Sequence, residues 1–63
     1  MKIIFIDTDS LKIEHNLGHY IVKKEGKGFG VYQKYDKEDT TYYITNFETI
    51  FLALKFLETF IKD

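Results

Sequence analysis

The stretch Asn46–Lys62, NFETIFLALKFLETFIK, decides the fold, because it is the clearest helix signal in the chain. It contains no Gly or Pro, and its Ala, Leu, Lys and Glu residues are strong helix formers. The segment Thr45–Glu48 has the form of a capping box, in which a Thr or Asn side chain accepts from one free amide and Glu48 reaches back to another. The sequence therefore predicts a helix at about 47–62.

The apolar side of this helix is wider than one sheet requires. Residues lie roughly 100° apart around a helix, and on that spacing one aliphatic stripe should form the core: Ile50, Ala53, Leu54, Leu57 and Ile61. Phe51 and Phe56 fall on the flanks of the stripe, and Leu52 lies within the polar arc. The apolar arc then spans roughly 200°, about twice the usual width. We expect these last three residues to contact a second chain.

Short strands are predicted before the helix. Lys2–Ile6 is rich in β-branched and aromatic residues, and the polar run Asp7–Ser10 after it is typical of a turn. Leu11–His15 alternates apolar and polar residues and could pair back on the first strand as a hairpin, which we favour. The alternative is a short helix that begins at Ser10 and stops at Gly18.

Three further strands form a predicted meander over residues 19–45: His19–Glu25, Gly28–Tyr35 and Thr40–Thr45. Gly26-Lys27 has glycine first, as a type II′ hairpin turn requires, and Asp36–Asp39 is a four-residue loop. The sequence thus predicts a single α+β domain over residues 1–63. In it, a small antiparallel sheet, made of the meander and an N-terminal strand or hairpin, packs on the C-terminal helix. Because strand side chains alternate between faces, some tyrosines must lie on the outer face.

The composition favours a folded chain with little stability to spare. The 63 residues are 44% hydrophobic and 17% aromatic, which excludes a disordered chain. Ordering each residue costs about 1.5 kcal/mol, and chains this short usually add disulfides, a metal or a partner. The sequence contains no Cys, so disulfides and thiolate metal sites are excluded. Oligomerisation is the remaining means of support.

The charge pattern gives no overall attraction to nucleic acid or membrane, since the net charge is −1 and the pI is near 6.1. All nine basic residues are Lys, which excludes bidentate Arg contacts with phosphate or guanine. The Lys, Ile, Phe, Tyr and Asn usage is typical of an AT-rich coding genome, such as that of a low-GC bacterium, its phages or its plasmids. The opening MKIIFID has too few apolar residues for a signal peptide or membrane span. We therefore expect a cytoplasmic protein, in the host cytoplasm if it is phage-encoded.

One motif is similar to a known catalytic element. The residues Ile4–Leu11, IFIDTDSL, resemble the DTDS motif of family-B DNA polymerases, a β-hairpin whose carboxylates hold catalytic magnesium. The resemblance implies Asp7 and Asp9 as metal ligands and supports the hairpin. It covers eight of the 63 residues, and the chain has no second polymerase motif. The residues themselves favour a turn shaped by Asp and Ser, so we assign no metal ligand.

Other signals for catalysis are weak. His15 and His19 are four residues apart, but Gly18 interrupts any helix that would direct both towards one zinc ion. Gly26–Gly30 lacks the spacing of a phosphate-binding loop and precedes a strand. With one Ser, no Cys and little room for a buried pocket, we predict no enzymatic activity and no cofactor.

Basic and aromatic residues cluster around the central hairpin, where bases could stack on rings and lysines could contact phosphates. The candidate nucleic-acid contacts are Lys23, Lys24, Lys27, Lys34 and Tyr35. The order of three strands and a helix also resembles the arm domain of tyrosine recombinases, which lays a three-stranded sheet in the DNA major groove. Acidic neighbours dilute the patch, and lysines on strands also protect sheet edges. Nucleic-acid binding is therefore the second hypothesis.

The leading hypothesis is a non-enzymatic protein-interaction module that forms a homodimer through its helix or binds a protein partner, without membrane association. Aromatic residues carry much of the energy of protein interfaces. The predicted interface residues are Phe51, Leu52, Phe56, Tyr20, Tyr32 and Tyr43. We expect a stoichiometric inhibitor or regulator from a phage or mobile element, for example an anti-defence protein of the anti-CRISPR type, which acts by occlusion.

Overall fold

The computed structural model describes the backbone of residues 2–7 and 9–60, and the side chains of those residues except 2, 5–7 and 60. Five strands precede one helix: β1 (Lys2–Asp7), β2 (Ser10–His15), β3 (Gly18–Glu25), β4 (Gly28–Tyr35), β5 (Thr41–Phe47) and α1 (Ile50–Phe60). The strands form one antiparallel sheet in the order β1-β2-β3-β4-β5, so each strand pairs with its neighbour in sequence. The predicted α+β architecture is confirmed, and the hairpin is present rather than a helix from Ser10.

Two glycines fix the tight connections of the meander. Gly26 has φ +59°, and no other described residue at this turn has a positive φ, which matches the predicted type II′ geometry. Gly18 begins β3, where a Cβ atom would collide with the main-chain carbonyl oxygen of Lys34 and lie 2.8 Å from the Cα of Tyr35. A side chain at Gly18 would therefore separate β3 from β4.

The core lies between one face of the sheet and α1. Ile13 pairs with Tyr20, Leu11 with Val22, and Val22 with Val31, so these side chains point to the same face. They are buried together with two helix residues, giving the core Leu11, Ile13, Tyr20, Val22, Val31, Ala53 and Leu57. This sheet face is called the covered face below, and the opposite one the open face.

The helix begins later than the sequence predicts. Asn46 and Phe47 pair with Gly30 and Phe29, which extends β5 to Phe47. The predicted capping box at Thr45–Glu48 is therefore wrong. Thr49 caps the helix instead, because its Oγ1 accepts from the N–H of Leu52 at 3.2 Å and its carbonyl accepts the first helical hydrogen bond.

The predicted core stripe of the helix is confirmed within the described residues. Ala53 and Leu57 are fully buried, and Ile50 and Leu54 pack around them. Ile61 lies outside the described residues. Phe47 also packs against the core, but from β5 rather than from the helix.

Candidate interaction surfaces

The open face carries a row of side chains that crosses all five strands. Strand pairing aligns one residue from each strand in this open-face row: Ile4, Lys12, Ile21, Tyr32 and Tyr43. Residues directly opposite each other on one face of a sheet have Cβ atoms about 5 Å apart. The row is therefore a continuous, mostly apolar band.

Tyr32 is the best-connected member of this row. Its ring makes an edge contact with Tyr43 at 5.5 Å between centroids, and the Lys23 ammonium lies 4.6 Å from the ring centroid. The Tyr32 hydroxyl donates to the Glu25 carboxylate, which also lies 3.9 Å from Lys23 Nζ. This hydrogen bond is the main reason that the pKa of Tyr32 is raised, with burial and the Glu25 charge adding to it. The Tyr32 ring thus already contacts Lys23 and Tyr43 of the same chain.

The predicted nucleic-acid residues do not share one face. Lys23 and Lys34 belong to the open face, whereas Lys24 and Tyr35 lie at register positions of the covered face, and Lys27 lies in the β3–β4 turn. Lys34 Nζ donates to the carbonyl of Glu38 at 2.8 Å. Lys12 is not among the predicted contacts, although its place between Leu11 and Ile13, which are buried, could have indicated that it faces outward.

The two histidines are held on opposite faces of the sheet. His15 is two residues after the buried Ile13 and so lies on the covered face. Its Nδ1 accepts from the N–H of Leu17 at 3.3 Å, and its ring packs on Tyr20 at 4.8 Å between centroids. The Nε2 atom of His15 is buried without a hydrogen-bond partner. His19 points to the open face, opposite Lys34, and the structure does not bring the two imidazoles together as a pair of metal ligands.

The electrostatic surroundings of His19 are basic. Burial lowers its pKa from the ordinary value of 6.5, and the charges of Lys12 and Lys34 lower it further. Asp36 acts in the opposite direction, and His15 adds a small contribution that lowers it. The neutral imidazole is therefore favoured in the folded chain.

Exposed apolar side chains concentrate on β5 and α1. Phe51 is 63% exposed and Leu52 44%, while Tyr43 is 54% exposed and Tyr42 45%. Only two other large hydrophobic side chains among the described residues are exposed, Ile3 and Leu17. We name Tyr42, Tyr43, Phe51 and Leu52 the β5–α1 surface; Tyr43 lies on the open face and the helix on the covered face, so this surface extends around the β5 edge of the sheet. It contains three of the six residues that the sequence predicts for an interface.

The other three predicted interface residues have roles within the fold. Tyr20 is buried, with 5% of its surface exposed, and its hydroxyl accepts from Gln33 Nε2 at 3.3 Å. Phe56 packs against the core and lies 5.3 Å from the ring of Phe47 between centroids. Tyr32 is half-buried in the open-face row. Sequence periodicity could not identify the contact with Phe47, because it placed Phe47 near the helix start rather than in β5.

β1 and β2, which lie on either side of the DTDS segment, pair as the predicted hairpin. Asp7 pairs with Ser10 across the turn, and Asp9 is exposed. The side chain of Asp7 lies outside the described residues, so the predicted turn role of this carboxylate does too. Among the residues that are described, no three His, Cys, Asp or Glu side chains cluster in a way that could hold a metal ion.

A shallow cleft of about 290 Å³ opens beside the β3–β4 turn. Gly30 belongs to it, and a Cβ atom there would collide with the Glu25 carboxylate that holds Tyr32. The cleft is lined by Glu25, Lys27, Gly28, Gly30, Asn46, Phe47 and Glu48. Gly30 therefore leaves room for the Glu25–Tyr32 hydrogen bond.

Comparison of the chain with protein-family models, with curated proteins and with solved structures gave no match. Within the described part of the chain, no helix has the length and apolar character needed to cross a membrane.

Proposed function

We propose that this chain is a non-enzymatic protein-interaction module that binds another protein chain through the β5–α1 surface. The observation that carries the proposal is the exposure of Phe51 and Leu52 on a helix whose opposite side already supplies the core through Ala53 and Leu57. Ala53 and Leu57 serve the fold, and Phe51 and Leu52 are left exposed.

The chemistry of the surface supports a protein partner. Phenylalanine and tyrosine bury large areas with few rotatable bonds, and exposed apolar patches on small chains mark interaction sites. Lys55 places its ammonium 5.4 Å from the Phe51 ring centroid, so the patch has a charged rim, as interfaces do. Such a module would act by occlusion, as a stoichiometric inhibitor or regulator that covers a working surface of its target.

The proposal is tested by paired variants of the two exposed helix residues. A Phe51→Ser/Leu52→Ser chain should keep a native far-UV circular dichroism spectrum, because both side chains are exposed. Solution mass by light scattering and cross-linked capture should show an associated chain with wild type and none with the double variant. A matched control, Glu58→Ser/Thr59→Ser, changes exposed residues of the same helix and should keep the association. Wild type that neither self-associates nor retains any protein that the double variant loses would refute the proposal.

Nucleic-acid binding remains a second candidate, favoured by one specific observation. Lys12, Lys23 and Lys34 come from three adjacent strands and share the open face with Tyr32 and Tyr43. This function predicts nucleic acid retained through purification, and an affinity that falls steeply with salt. A Lys12→Gln/Lys23→Gln/Lys34→Gln chain should lose that binding, whereas Lys24→Gln, on the covered face, should keep it. Absence of binding to any duplex or single strand at low salt would end this candidate.

A further inference from the structure

The β5 strand is an uncharged edge of the sheet. It pairs with β4 on one side, and none of the described strands lies on the other. Its sequence Thr41–Phe47, TYYITNF, contains no charged residue, whereas each of the other four strands contains at least one. Natural edge strands are usually protected by lysine or other charges, by proline or by β-bulges, because unpaired backbone groups otherwise attract another strand. β5 has no charge and no proline; its pairing with β4 is irregular at one place, where Ile44 is an extra residue between Tyr43 and Thr45, so Thr41–Tyr43 is the regular part of this edge.

The backbone groups that β5 leaves unpaired can be assigned from the hairpins. Glu25 and Gly28 close a two-residue turn, and such a pair shares its hydrogen bonds. Alternation along β4 then directs the N–H and C=O of Gln33 towards β5, where they meet Tyr42. The neighbouring residues Thr41 and Tyr43 therefore direct their N–H and C=O groups away from the sheet.

Two-fold pairing of this edge would also bring two helices together. When two edge strands pair antiparallel about a two-fold axis, the axis is perpendicular to the sheet, so both helices lie on the same face. Strands are about 4.8 Å apart, and α1 lies over β4 and β5 alike. Each helix axis is then about 5 Å from the two-fold axis, and the two helices are about 10 Å apart, which is the usual spacing of packed helices.

The structure also indicates which flank of α1 would meet the second helix. The ring contact of Phe56 with Phe47 shows that this flank lies on the β5 side. Leu52 is four residues earlier and shares the flank, whereas Phe51 is rotated by roughly 100° from Leu52, towards the other side. Leu52 is thus the exposed residue directed at the two-fold axis.

We infer that the chain forms a homodimer in which β5 pairs antiparallel with β5 of a second copy and α1 packs beside its equivalent through Leu52. The inference rests on the proposed interaction function and names its partner. A second copy fits because the edge is self-complementary in hydrogen bonding and has no charge, so no register sets like charges opposite each other. The pairing also covers an edge on a chain too short for a large core.

The experiment combines solution mass with two matched pairs of variants. Light scattering over roughly 1–200 µM should give twice the chain mass at the upper end. Because the chain has no Cys, Leu52→Cys and Phe51→Cys each introduce a single thiol at an exposed helix position. Under oxidised glutathione, Leu52→Cys should form a disulfide dimer at least ten times faster than Phe51→Cys. Equal rates, or a faster reaction of Phe51→Cys, would overturn the inference.

The edge itself is tested at Tyr43. Tyr43→Ala and Tyr43→Pro both remove the exposed ring, but only proline removes the outward N–H. The Ala variant should dimerise and the Pro variant should be monomeric, with native far-UV circular dichroism in both. Dimerisation of both would exclude pairing through β5 but leave the proposed function standing. A monomeric wild type that still captures another protein would also exclude the homodimer and leave the proposed function standing. A monomeric wild type that captures nothing would refute both the homodimer and the proposed function.

Discussion

Truncation of Leu57 measures how much of the stability comes from the contact between helix and sheet. Leu57 is fully buried against the covered face, and the core it joins has only seven buried hydrophobic residues among those described. Leu57→Ala removes this packing and leaves a cavity, which costs about 3 kcal/mol. At roughly 0.05–0.15 kcal/mol per residue, 63 residues give a total free energy of unfolding of roughly 3–9 kcal/mol. The variant should therefore lose a third or more of its stability.

The matched control is Phe51→Ala on the same helix, which deletes a larger side chain that is 63% exposed. This change should alter the free energy of unfolding by no more than about 0.5 kcal/mol. Urea unfolding followed by circular dichroism at one fixed protein concentration measures both, since a dimer makes stability depend on concentration. With a slope near 1 kcal/mol/M, the midpoint of Leu57→Ala should fall by about 3 M. A Phe51→Ala loss as large as that of Leu57→Ala would refute the assignment of the two helix faces.

Three further variants test local features of the fold. Thr49→Ala should cost about 1 kcal/mol in urea unfolding, because it removes the side-chain cap of the helix, and an unchanged midpoint would argue against this cap. Gly26→Ala should cost about 1 kcal/mol through its positive φ alone, since a Cβ atom there meets nothing within 4 Å; full stability of this variant would mean a different turn. The pKa of His19 is lower in the folded chain than its ordinary 6.5, so the unfolded chain binds the proton first as the pH falls. The free energy of unfolding of wild type should therefore decrease relative to that of His19→Gln below about pH 6.5. A difference in free energy of unfolding that stays constant with pH would contradict this.

The two ends of the covered face show how far sequence periodicity reaches. The alternation in Leu11–His15 predicted a strand, and its two apolar residues are the ones found buried, because burial of one face imposes a period of two. His19–Glu25 was also predicted as a strand, but its apolar residues do not alternate, and Tyr20, which was expected at an interface, is buried. The capping box at Thr45–Glu48 failed because Thr49, a second capping residue, lies four positions later, and pairing with β4 holds Asn46 and Phe47 in the strand. Local helix propensity does not include the pairing of these residues with β4, so it could not predict this.

For the candidate surfaces too, the sequence predicted features of one helix but not contacts between strands. Helical spacing alone predicted Phe51 and Leu52 as surplus apolar residues, and both are exposed. The burial of Tyr20 against His15, and the engagement of Tyr32 by Lys23 and Glu25, join residues from different strands. Such contacts depend on strand register, which the sequence pattern around these tyrosines does not specify.

By itself, the sequence determined the class of fold, the succession of strands and helix, and the helix residues that form the core, because hydrophobic periodicity and turn chemistry act over a few neighbouring positions. Only the tertiary structure decided where the helix begins, which tyrosines are exposed, and that the uncharged strand β5 is an edge strand beneath α1. Those features depend on which strands pair and where the helix packs. Both are set by contacts between residues distant in sequence.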